Sequence, residues 1–106
     1  MITNVIINTQ VEGTHHWPEC NIKEVEFLKF PHRHIFHICC KKKVTHSDRD
    51  IEIIKLKREI NNYLATFNGD FKNLSCEMIC EILITKFGLT YCSVLEDGEN
   101  GAEIYI

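Results

Sequence analysis

The sequence predicts an α+β fold of order ββααββ, an antiparallel four-stranded sheet with two helices on one face. Three observations predict it. Two stretches in the first half, 2–16 and about 31–43, alternate with a period of two. Two stretches between 54 and 87 carry apolar positions at helical spacing. The chain then returns to short extended segments around an Asp-Gly turn. Its 106 residues suit a single domain, 1–106, with one modest core.

In the first strand Val5, Ile7, Thr9, Val11, Gly13 and His15 share one parity, while Asn4, Asn8, Gln10, Glu12 and Thr14 dominate the other. A half-buried strand is expected, with His15 at its end on the apolar side. His16-Trp17-Pro18-Glu19-Cys20-Asn21 is a loop, because Pro18 stops ladder pairing. Residues 24–30 alternate in part and are expected to extend the second strand or lead into it. That strand holds Pro31-His32-Arg33-His34-Ile35-Phe36-His37-Ile38-Cys39-Cys40 and runs to about Lys43. His32, His34, Phe36 and Ile38 share one face; Arg33, Ile35, His37 and Cys39 share the other.

The first helix is expected over 54–65, with apolar positions 53, 56, 60, 63 and 64, and Asn68-Gly69-Asp70 breaks it. The second starts at Ser75 as N-cap, with Glu77 in the first turn, and ends at Gly88. Met78, Ile79, Ile82, Leu83 and Phe87 are its expected buried side. Residues 89–96 form a third strand, 97–101 a hairpin loop, and 102–106 the last strand. Four strands leave two open edges, which closing into a symmetric homo-oligomer would pair.

The net charge of −3 argues against a nucleic-acid footprint, and the one basic run, Lys41-Lys42-Lys43, is short. Met1 to Ile7 has neither a cationic region nor a long apolar segment, so no signal peptide or membrane span is expected. Of the six cysteines, Cys39 and Cys40 face opposite sides of a strand, and Cys76 and Cys80 lie one helical turn apart. Neither spacing is a zinc-knuckle pattern, so they read as reduced core residues of a cytoplasmic protein.

All six histidines lie in the first half of the chain. His32 and His34, at i and i+2 on a strand, place their Cβ atoms roughly 7 Å apart on one face. Two imidazoles so placed suit one metal ion, each reaching in to about 2.0–2.1 Å for zinc.

These pieces, in this order, resemble the 6-pyruvoyl-tetrahydropterin and 6-carboxy-tetrahydropterin synthases, which have the tunnelling fold, or T-fold. In that family a zinc ion is held by one histidine at the end of the first strand and two in a His-Gly-His motif on the second. The resemblance puts these on His15, in Val11-Glu12-Gly13-Thr14-His15-His16, and on His32 and His34, with Arg33 in place of glycine. Glu52-Ile53-Ile54-Lys55-Leu56-Lys57 is similar to the Asp-Phe-x-x-Leu-Lys that enters the first helix. Leu74-Ser75-Cys76-Glu77 is similar to the Pro-Thr-x-Glu that starts the second. Glu96 ends the third strand, where the family has the glutamate that clamps the pterin ring.

The resemblance implies subunits joined into a β-barrel, as a trimer or hexamer, with Zn²⁺ and a pterin- or purine-like ligand. It makes Glu96 the ring-binding carboxylate, with Glu77 in reach of the same ring. Two parts of the family pattern are absent. Leu28 stands where the synthases carry a cysteine base, and Asp70-Phe71 where they carry Asp-His. Cys20 is the nearby thiol for a catalytic role, at a different spacing. Phenylalanine cannot move a proton.

Three readings follow: a zinc-binding, non-catalytic T-fold protein; an active divergent lyase using Cys20 or another histidine; and an oligomeric scaffold or nucleotide-binding protein without metal. His16 is a fallback ligand if the register slips by one. His37 is expected to be structural.

Overall fold

Alternation in the first half becomes a long antiparallel pair in a computed structural model that describes residues 1–106. Strand β1 (Thr3–His15) runs beside β2 (His32–Val44), in register from Thr3 opposite Val44 to His15 opposite His32. Strand β3 (Tyr91–Glu96) pairs antiparallel with β2, placing Glu96 opposite Phe36, and β4 (Asn100–Tyr105) pairs with β3. The sheet order is β1-β2-β3-β4, which leaves β1 and β4 at open edges within the chain.

Two helices lie on one face of this sheet. Helix α1 (Ile53–Ala65) starts where the Glu52 carboxylate accepts from the backbone N–H groups of Ile54 and Lys55. It buries Leu56, Ile60 and Leu64, one turn apart, and packs against β1. Helix α2 (Cys76–Phe87) starts at Ser75, whose hydroxyl accepts from Met78 N–H at 3.1 Å. Gly88 closes it at φ +62°, a left-handed position where a Cβ would be strained. The buried stripe of α2 is Cys76, Ile79, Cys80 and Leu83, so Met78 faces outward instead of into the core as its spacing predicts.

Residues 24–30 lead into β2, but not as a strand. Lys23–Lys29 is a 3₁₀ segment kinked at Val25, with no buried residue. Phe30 donates its N–H to Phe27 O and is extended, as the residue before a proline must be. Pro31 has no N–H to continue a ladder, so pairing begins only at His32.

The core lies between the sheet and the helices. Phe36, Ile38 and Cys40 of β2 meet the buried residues of both helices, with Cys92 and Val94 of β3. All six cysteines are free thiols, and five are buried. No helix is long and apolar enough to cross a membrane.

Candidate metal centre

Strand register brings three histidines together. His15 ends β1 directly opposite His32, and Gly13 lies opposite His34. His32 and His34 share the face of β2 that carries buried Phe36 and Ile38, and His15 meets them from the end of β1. Ring centroids are 4.6 Å apart for His15 and His32, 5.3 Å for His15 and His34, and 5.0 Å for His32 and His34. Phe36, fully buried, packs edge-on against His15 and His34 and separates the cluster from the core.

The loop between the helices fixes the first of these rings. Thr14 N–H donates to Gly69 O, Phe71 N–H to Thr14 O, and His16 N–H to Lys72 O. This latch carries Leu74 O to 2.9 Å from His15 Nδ1. It requires a glycine at 13, where an added Cβ would sit 2.6 Å from the Phe71 ring.

Each ring is held the same way. His15 Nδ1 faces Leu74 O, His32 Nδ1 faces Phe30 O at 2.8 Å, and His34 Nδ1 faces Asp97 Oδ2 at 2.7 Å. Carbonyl and carboxylate oxygens only accept, so each Nδ1 carries the proton and donates. In the neutral ring this leaves Nε2 with a bare lone pair. His15 Nε2 and His34 Nε2 are buried with no hydrogen-bond donor.

Glu96 faces the same point. Its Oε2 lies 2.9 Å from His15 Nε2 and its Oε1 3.6 Å from His34 Nε2. One ligand atom from each of His15, His32, His34 and Glu96 falls within 4.8 Å of all the others. At 2.9 Å a lone pair and a carboxylate oxygen repel unless a cation or proton lies between them. Burial, the largest influence on His15, pushes its pKa down and so favours the neutral ring. Three imidazoles and a carboxylate at this spacing form a cluster that could hold a metal ion.

A pocket of about 400 Å³ opens onto this cluster. His15, His32 and Glu96 form part of its wall, with Glu77 and Cys76 from the start of α2 and with Trp17 and Leu28. The structure thus brings together five residues singled out in the sequence: the three histidines, Glu96 and Glu77. Glu96 sits within the histidine cluster, closer to it than a residue serving only as a ring clamp requires. His16 lines the pocket outside the cluster.

Cys20 is placed elsewhere. It is 2% exposed, its thiol is directed at Ile22 O and Val25 O of its own loop, and it does not line the pocket. His37 lies beside Gly98 on the other face of the sheet, and His46 accepts from Asp48 N–H in a loop. Phe71, standing where the resemblance expects a histidine, is core, stacked on Phe67.

Two site residues escape sequence reasoning. Cys76 directs its thiol at Glu96 Oε2 at 3.8 Å. Burial, then Glu96 and Glu77, push its pKa up to about 12, so it stays a neutral donor to that carboxylate. Asp97 holds His34, and its pKa is lowered, first by Ile35 N–H and then by the His34 contact. The Glu-Asp-Gly run reads as a turn and gives no sign of either contact.

The chain matches no protein-family model and no curated protein.

Proposed function

We propose that this chain is a zinc-binding T-fold protein, a single domain over 1–106, that holds a planar pterin- or purine-like ligand beside the metal without transforming it. The observation that carries this reading is the convergence of ligand atoms from His15, His32, His34 and Glu96, with the Nε2 atoms of His15 and His34 buried and without a hydrogen-bond donor. His15, His32 and His34 hold the ion. When bound, zinc supplies a Lewis acid to a ligand oxygen. Glu96, with Glu77 in the same pocket, accepts N–H donors from the ring.

A holding role is favoured over turnover because the two proton-moving residues that the resemblance expects are replaced by side chains that cannot move a proton. Leu28 lines the pocket where the resemblance expects a thiol, and Phe71 is buried in the core. Open edges on β1 and β4 support a homo-oligomer, a trimer or hexamer, in which edge joins edge and the sheets close into a β-barrel. Six free thiols fit a cytoplasmic setting.

The test is to titrate zinc-loaded and chelated protein with a dihydropterin triphosphate, reading binding by fluorescence and product by chromatography. The proposal expects zinc-dependent binding with the ligand recovered unchanged. Conversion to product would establish the lyase instead, and no binding with or without zinc would leave the scaffold.

A further inference from the structure

His34 is held differently from the other two histidines. His15 and His32 donate Nδ1–H to neutral backbone carbonyls, whereas His34 donates to a carboxylate. A charged acceptor binds more strongly and raises the donor strength of the far nitrogen.

Asp97 is a turn residue at φ +56°, and a turn alone would accept asparagine or glycine there. Its contacts exceed what the turn needs. The backbone N–H of Asp97 donates to Ile35 O at 2.8 Å, and Oδ1 accepts from Ile35 N–H at 2.9 Å. With Oδ2 on His34, three bonds to two consecutive residues of β2 fix the carboxylate in place. Asp97 thus continues the ladder one position past β3 with its side chain and fixes the ring beside it.

Charge points the same way. The carboxylates that touch the imidazoles are Glu96 and Asp97, and with the three rings neutral their two negative charges match one divalent cation. Arg33, the cation facing Asp97, is itself paired with Glu12.

We propose that Asp97 is a positioning residue of the metal centre: it locks His34 as the Nδ1–H tautomer, aims Nε2 at the cluster, and supplies the second negative charge that matches a divalent ion. This inference rests on the metal reading of the cluster.

The experiment has two parts. Ring nitrogen NMR on metal-free, ¹⁵N-histidine-labelled protein at pH 8 reads the His34 tautomer without any metal. The expected result is Nδ1–H in the wild type and a mixture in Asp97→Asn. Cobalt(II) titration then reads affinity and the visible spectrum. Folded Asp97→Asn is expected to bind roughly 10–100-fold more weakly, with an altered spectrum.

A role confined to the turn would lower thermal stability and leave both the affinity of the folded chain and the spectrum unchanged. That result overturns the proposal, as does an Nε2–H tautomer for His34 in the wild type. The wild-type tautomer decides the point if Asp97→Asn does not fold. A chain with His34 locked as Nδ1–H that takes up no cobalt overturns the metal reading itself. One that takes up cobalt regardless of Asp97 overturns this inference alone.

Discussion

Phe36, Ile38 and Cys40 stand on the same face of β2 as His32 and His34, yet the two halves of that face are finished in opposite ways. The Phe36 half is covered by both helices and ends in close apolar contact. The histidine half lies beside the start of α2 and ends in a pocket, where the Nε2 atoms of His15 and His34 are buried without a hydrogen-bond donor and face the Glu96 carboxylate. A buried, unpaired polar atom costs about 1–3 kcal/mol. One half of the face therefore stabilises the fold, while the other is held rigid at the fold's expense. Rigid imidazoles with outward-held protons and inward lone pairs are what a metal ligand needs.

The sharpest way to break this contrast is to truncate one residue from each half. Phe36→Ala should lower the stability of the metal-free protein by about 3–5 kcal/mol in urea unfolding, the usual cost of emptying a buried aromatic site. His34→Ala should change it by less than about 1 kcal/mol, because it removes an unsatisfied group along with its contacts. Equal losses would make the histidines ordinary core.

Next in size is Glu96→Gln. It keeps the shape and removes the charge facing the cluster, and pterin affinity should fall by roughly 2–5 kcal/mol in a fluorescence titration. Unchanged affinity would remove Glu96 from ligand binding and leave it to the metal alone.

Gly13→Ala tests the seam between the halves. Its Cβ would press on Phe71, which packs on Phe36. A loss of about 1–3 kcal/mol is expected on thermal unfolding. Weaker zinc binding should accompany it, because Phe71 N–H anchors the loop that carries Leu74 O to His15.

The smallest effect is the pH dependence of metal-free stability near neutrality. His15 has its pKa lowered in the folded state by burial, so below the unfolded value of about 6.5 the unfolded chain binds more protons. The His15 contribution is complete above that pH and is lost as pH falls through it towards the folded value. His15→Gln should flatten the profile between pH 7.5 and 5.5 in urea unfolding.

Much of this contrast is legible in sequence. Period-two alternation places His15, His32 and His34 on the core face, and antiparallel pairing of the first two strands is enough to bring them close. Ser75 and Gly88 mark the ends of α2 because capping is local chemistry. What sequence misses comes from pairing at long range. Asp97 reaches His34 only because β3 pairs with β2 so that Glu96 meets Phe36, and a shift of one residue would turn both acids away. Leu74 O reaches His15 through a loop latched to β1. Lys23–Lys29 reads as partly alternating, but Pro31 cuts it off from the ladder. The inward turn of Cys76 and the outward turn of Met78 depend on where α2 meets the sheet, which helical period alone leaves open.

The most direct measurement is zinc per chain, by elemental analysis of protein purified without chelator, beside a His32→Ala/His34→Ala double variant. About one zinc per wild-type chain, lost in a variant that still folds, is the predicted result. A wild type without zinc, or a double variant that retains it, would contradict the metal centre on which the histidine half of β2 is built.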